Sequence, residues 1–518
     1  MRTSIAIILL AVASTIHAQV YTGLVGVQGS GLDRVLDVAY AANGDRIVEG
    51  CFNGSMVFGD TTLVADISGD TFVGRLDSTG NWLWARNTGG QQSYGGQLIL
   101  DDGGDIYALV SAYRLVKLND SGDVLWTFEQ QGLQVRGMGL LNDDVLLVGA
   151  FNFTAIFGTD TFSTPNFYTD GFLGRLSGST GTWEQAWHLR GNGFSDAEIA
   201  WGVSATPQGD ILFTMESESP AVYAGDDTLV APTSSDQMYV VEMDTAGHVN
   251  WWTSSVAGSA GPPRRIVFTA AGDPILLGRF YSFNFDYDGV VYPPPVLSSS
   301  DDAYVMWLGA GGALQNIVFL CGPGDQQGLD LEQDAAGALY VAGVTCGMMT
   351  LGGTTLNDPA LCNAFVAAMD ASGTWQWAVD LAGPGNSSGY GVAVAPDGTV
   401  CMGGLFNNGV VNAGPFSLIP AGDDDGFITT IGPLSTSVAE VGADACLLVP
   451  NPAHGTVRLE ASSPVERVRL CDAHGRQVRS WASSQVPAHL SLIGLAPGLY
   501  TVQVEGQHGM QSVRLCVE

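Results

Sequence analysis

Lysine is almost missing from this chain: among 518 residues it occurs once, as Lys117, and only 19 basic residues stand against 52 acidic ones, a formal net charge of −33. A surface of that sign repels nucleic acid and anionic lipid, so no phosphate-backbone partner is expected. Charged residues of all kinds reach only 14%, and a helix-forming composition is absent. Apart from the N-terminus, no apolar run approaches the roughly 18 residues of a membrane-spanning helix, so no transmembrane segment is expected. The eight cysteines never form Cys-x-x-Cys, which removes the usual zinc spacing. No glycine loop with a following lysine is present to cradle a phosphate.

Glycine, by contrast, is abundant, with 69 copies. Many turn formers with few charges suit short strands joined by tight turns. The chain opens with Arg2, an apolar run from Ile5 to Ala13, and Ile16-His17-Ala18 ahead of Gln19. This pattern predicts a signal peptide over residues 1–18, cut after Ala18 and too short to anchor. The first cysteine is Cys51, far from the cut, so no lipid-modified N-terminus is expected.

An acidic or amide residue followed by an aromatic-containing apolar pair recurs six times, beginning at Asp70, Asp170, Asp236, Asp302, Asn363 and Asp425. A period of about 60 residues marks one β-sheet unit repeated around an axis or along a stack. Seven openings, each an apolar segment before a turn, divide residues 19–432 into seven units; examples are Val38-Ala39-Tyr40 before Asn43-Gly44-Asp45 and Val392-Ala393-Val394 before Asp397-Gly398. Such turn dipeptides between alternating apolar runs signal hairpins. Six units carry an extra segment such as Met56 to Leu63, expected as a protruding hairpin, and the second unit lacks it. Trp84, Trp126, Trp251 and Trp377 each stand four residues after a turn glycine, in one register of a period-two strand. Packing between neighbouring units is the expected role of these rings, and a carbohydrate-stacking platform is the alternative.

Four strands per unit and seven units predict an all-β fold: a seven-bladed β-propeller followed by a small C-terminal β-sandwich. The seventh unit lacks a fourth strand, and Val20 to Val27 forms an orphan strand at the start of the mature chain. The N-terminal strand is therefore expected to complete the last blade and close the ring, removing two open sheet edges.

The run Asp70 to Gly80, Trp84 and the Gly-Asp openings resemble the SBBP-type β-propeller repeat of secreted bacterial proteins over roughly residues 20–432. The resemblance implies a fold and an extracellular habit, and no reaction.

After a linker over 433–446, the charge is nearly balanced, and short strands alternate over 447–518. Pro450-Asn451-Pro452, the Asp472 to Gly475-Arg476 turn, and the strand entry Gly498-Leu499-Tyr500 are similar to the type A C-terminal sorting domain of the type IX secretion system. That resemblance implies the secretion machinery as partner and passage through the periplasm and across the outer membrane of a Bacteroidetes-type bacterium. Removal of the tail, with release or attachment to the cell surface, would follow. Arg514 stands where the family often has a lysine. An immunoglobulin-like module that stays attached is the rival reading.

Candidate chemistry is thin. His188 and His248 fall in different units and are expected as solvated strand or turn residues. Asp423 to Gly426 and Asp286 to Gly289 share the composition of calcium loops without the EF-hand spacing, so turn formation is expected, no cofactor is called for, and calcium stays open. Cys346 and Cys362 flank the extra hairpin of the sixth unit and are placed to bridge it. No catalytic residue is singled out. The leading expectation is a non-catalytic secreted or surface-displayed propeller that binds a glycan or protein. The alternatives are a carbohydrate-active enzyme using carboxylates near the channel, and a passive envelope component.

Overall fold

A computed structural model describes residues 19–29, 31–90, 96–164, 168–192, 197–230, 237–255, 260–281, 285–296, 300–356, 361–433, 447–460, 465–471, 476–482, 486–487, 489–506 and 509–517. The expected signal peptide, Asp236, and nearly all of the expected linker lie outside them. The chain divides into two compact units, Met1–Leu434 and Ser435–Glu518. Both are all-β; the one helical element among the described residues is a short 3-10 turn, Ala310–Gly312.

In the first unit, antiparallel four-strand arrays follow one another along the chain. Sheet 1 runs Arg34–Tyr40, Arg46–Phe52, Asp70–Leu76 and Trp82–Asn87 in spatial order. Sheets 2 to 7 begin with Leu98–Leu100, Leu133–Leu141, Glu198–Ala205, Arg265–Phe268, Gln326–Gln333 and Asn386–Val394. The turns work as their residues dictate. Gly44 takes φ 86° while Ala41 N–H donates to Asp45 O at 2.8 Å, a conformation that favours glycine. Sheet 2 passes directly from Ile106–Ser111 to Arg114–Leu118, without the extra hairpin. Sheet 7 takes its fourth strand from the start of the chain: Gln19–Val27 pairs antiparallel with Asp425–Pro433.

Each sheet is apolar on both faces, because every gap between consecutive sheets holds its own core. Ile47 and Val73 meet Leu98 and Ile106 between sheets 1 and 2. Further cores lie between 2 and 3, 3 and 4, 4 and 5, 5 and 6, and 6 and 7. Val35, Val38 and Val48 of sheet 1 also share a core with Ala393, Cys401 and Ile428 of sheet 7. Burial on both sides explains the continuous apolar runs of the second and third strands.

Indole–glycine contacts add a second tie between sheets. A Cβ on Gly122 would meet the Trp84 ring at 2.8 Å, and one on Gly181 would meet Trp126 at 2.6 Å. Gly312 faces Trp251 in the same way. Three of the four aligned tryptophans, Trp84, Trp126 and Trp251, thus close over the turn of the next sheet.

The six extra hairpins do not protrude as expected. Alternate residues turn inward and bury: Phe58 meets Trp82 of its own sheet edge-on at 4.7 Å between centroids, and Phe157 meets Trp183 at 5.0 Å. One hairpin, Ala221–Ala224 with Asp227–Val230, pairs with the outer strand of sheet 3. Apolar residues at every second position fold each hairpin back. Cys346 and Cys362 form a disulfide across the base of the hairpin in sheet 6.

The repeated acidic residue clasps its own sheet. Asp70 Oδ2 accepts from Asn87 Nδ2 at 2.7 Å, and Asp170 Oδ2 lies 2.6 Å from His188 Nε2. His188 is therefore paired, and stacked on Phe162 at 4.9 Å, rather than solvated as expected. His248 does lie exposed in a turn.

In the second unit, a three-stranded and a four-stranded sheet share one core, in which Leu448 and Val457 join Val468, Val502 and Leu515.

Candidate functional site

The first strands of the seven sheets surround one cavity of about 420 Å³, whose lining includes Asp37, Leu98, Met138, Val203, Arg265, Asp330 and Val392. A second cavity, of about 210 Å³, adjoins it at the N-terminal ends of the same strands. Together they form a channel whose wall repeats a local pattern. Five first strands carry a β-bulge, and the extra residue is Leu36, Arg136, Trp201, Leu329 or Tyr390. With Gly96 and Arg264, these residues line the second cavity. Bulges re-aim side chains, here toward the channel.

The residue after the bulge, or its counterpart in an unbulged first strand, ties one sheet to the next. Asp37 accepts from Leu98 N–H at 2.8 Å and from Val38 N–H at 2.8 Å. Gln97 donates to Met138 O and accepts from Met138 N–H, both at 2.8 Å. Asp330 accepts from Val392 N–H at 2.7 Å. Elsewhere the position is glycine, and the neighbouring backbone moves in: a Cβ on Gly137 would lie 2.4 Å from Trp201 O. Arg265 completes the layer, donating from Nε to Asp330 and lying 3.8 Å from Asp37 Oδ2.

Burial dominates the electrostatics of this layer. It pushes the Asp37 carboxyl upward, with Asp330 adding to the rise and Arg265 opposing it. Glu49, fully buried beside Asp37, is held well above the carboxylate range for the same first reason. Glu332 is pushed up to about 8 by burial and by Asp330. Four carboxylates thus share one guanidinium, and shifts of this kind mark both functional sites and structural ion-pair networks.

The bulge layer is basic and aromatic. The Arg264 guanidinium lies 4.2 Å from the Trp201 ring centroid and that of Arg136 lies 4.8 Å from it. Arg279 sits 5.0 Å over the Tyr281 ring. Loss of hydration, with Arg279 and Arg136 nearby, lowers Arg264 to about 10.

The Asp-rich turns are spent on structure. Asp424 pairs with Arg34 at 2.6 Å, and Asp425 accepts from Ala421 N–H at 2.6 Å. Among the described residues no group of three or more His, Cys, Asp or Glu is arranged to hold a metal ion.

In the second unit, Asn451 joins the first strand segment to the last strand. It donates to Arg514 O at 2.7 Å and accepts from Cys516 N–H at 2.8 Å. Pro450 and Pro452 flank it, and Ala453 N–H donates to Cys516 O at 2.9 Å. Tyr500 donates to Ala496 O at 2.9 Å, and Gly498 takes φ 153° at the strand entry. Arg476 is exposed ahead of Gln477–Ala482, whereas Asp472 and Gly475 lie outside the described residues.

Residues 448–518 match the secretion system C-terminal sorting domain family. The sorting domain implies secretion, to the cell surface or the extracellular space. No helix among the described residues is long and apolar enough to cross a membrane. No curated protein matches the chain. Among solved structures, it is similar to the WD40 domain of Neurospora crassa Pan2, with a TM-score of 0.42, 9% identity, and coverage of 81% of this chain and 96% of that one. The Dos1 propeller gives 0.41 and 8%, covering 80% and 95%. BamB from Moraxella catarrhalis gives 0.35 and 10%, covering 80% and 100%.

The sequence pointed to the tail residues and missed the channel. Its signal was present: the position two residues before Val38, Met138, Val203, Ile266, Leu331 and Val392 holds Leu36, Arg136, Trp201, Arg264, Leu329 and Tyr390.

Proposed function

We propose that this chain is an exported, non-catalytic β-propeller of seven SBBP-type blades, closed by its N-terminal strand, that binds a glycan or protein at the arginine-lined mouth of its channel. Ring closure is supported by the core shared between sheets 7 and 1 and by the pairing of Gln19–Val27 with Asp425–Pro433. Residues 1–18 act as the signal peptide, and the tail engages type IX secretion machinery of a Bacteroidetes-type cell. No cofactor is needed for this role.

One observation carries the non-catalytic reading: two of the carboxylates lining the channel, Asp37 and Asp330, are already bonded across sheets. Asp37 and Asp330 each hold the backbone of the next first strand, and Arg265 lies between them. A general acid or base needs a proton free to move to substrate. The alternative, a carbohydrate-active enzyme, draws on the raised carboxyls Glu49 and Glu332 in the same layer.

The binding reading is tested by passing the full chain over immobilised plant, marine and bacterial polysaccharides and over extracts of envelope protein. Saturable retention on one of them is the expected result. A chain retained by nothing would leave only the passive envelope role.

A further inference from the structure

A chain with 52 acidic and 19 basic residues nevertheless gathers arginines at one place. Arg136 arises from sheet 3, and Arg264 and Arg279 from the two edges of one hairpin in sheet 5. Arg136 and Arg264 approach the same indole, that of Trp201 from sheet 4. Like charges held this close repel, and a bound anion would relieve that cost. The carboxylates facing them are few. Asp301 lies 3.7 Å from Arg279, and Glu216 acts on Arg264 at longer range.

A second observation points the same way. Trp201 Nε1 is buried and meets no hydrogen-bond acceptor among the described residues. A buried donor left unmade is costly, so an acceptor arriving at this ring is favoured. Tyr390 and Tyr281 present further rings near the mouth, half-buried and exposed respectively.

We propose that this mouth binds an acidic saccharide, with Arg264 and Arg279 taking its carboxylate and Trp201 Nε1 donating to a ring oxygen or hydroxyl. The inference rests on the binding function above and names its ligand class. Guanidinium forks suit carboxylates, and aromatic rings suit the apolar faces of sugars. A cavity of about 210 Å³ accepts a chain end rather than a folded partner. The net charge of −33 opposes long polyanions at a distance, which again favours a short acidic oligomer.

The test is titration calorimetry of the full chain with trigalacturonate and, in parallel, neutral galactotriose and a short acidic peptide. Trigalacturonate should bind at least roughly tenfold more tightly than galactotriose, and Arg264→Gln or Arg279→Gln should each remove about tenfold. Trp201→Phe keeps the ring and deletes the donor, and should weaken binding severalfold. Thermal unfolding of each variant identifies any that fails to fold; Arg279→Gln, near the rim, stands in if Arg264→Gln does. Equal affinity for the acidic and neutral trimers, or affinity unmoved by the arginine variants, overturns the inference while leaving a binding module standing. Arginine-dependent capture of the peptide alone overturns the saccharide assignment. Binding of no glycan, peptide or envelope protein removes both the inference and the function beneath it.

Discussion

Trp126 donates its Nε1–H to Gly178 O at 2.9 Å, and its ring covers Gly181, whose φ is 67°. Tryptophan from sheet 2 thereby seals the turn of sheet 3. Trp126→Ala should cost about 3–5 kcal/mol, the range for emptying a large aromatic site. Gly181→Val, forced into a left-handed backbone against the indole, should also destabilise. Denaturant unfolding of each variant, with the midpoint compared at constant slope, measures both.

The channel carboxylates set a pH dependence. Burial raises Glu332 from the ordinary glutamate range to about 8 in the folded chain. The folded state therefore binds the proton more tightly than the unfolded one. Its stabilising effect is complete below the unfolded value, near about 4.3, and is lost as pH climbs through about 8. Glu198, raised to about 7, acts in the same direction. The melting temperature should fall between pH 5 and 9, and Glu332→Gln should flatten that fall. A variant whose profile matches the parent would remove Glu332 from this role.

The disulfide between Cys346 and Cys362 spans 16 residues. Replacing both by serine should lower stability by up to about 3 kcal/mol in the chain-entropy account. Reductant should reproduce the effect in the parent and leave the double variant unchanged.

Asn451 holds the last strand through both its donor and its acceptor. Asn451→Ala should weaken the sorting domain by about 0.5–1.5 kcal/mol, since two hydrogen bonds between the first segment and the last strand are lost. The fraction of protein outside the cell should fall with it, measured by comparing culture fluid with cell extract.

Much of the fold was legible because repeats average out local ambiguity. Asn43-Gly44-Asp45 and its counterparts mark hairpins, and the orphan strand Val20 to Val27 finds the open edge at Asp425–Pro433. The fold-back of the hairpins was not legible: Phe58 looks like any hairpin residue until Trp82 is seen beneath it. His188 reads as a strand residue in isolation, and its partner Asp170 belongs to the repeat signature itself. The channel was hidden for a different reason. The residue lining this cavity changes from sheet to sheet, from Leu36 to Trp201 to Arg264, so no single repeat carries the pattern. Only the convergence of several strands turns them into a site.

The central claim is that the channel carboxylates hold sheets together and the protein binds without cutting. Its most direct test incubates the full chain with the polysaccharides that retain it and counts new reducing ends over time. The account predicts retention with no new ends above a heat-denatured control. Ends that accumulate with the intact chain, and vanish in Glu49→Gln or Glu332→Gln variants that still fold, would contradict it.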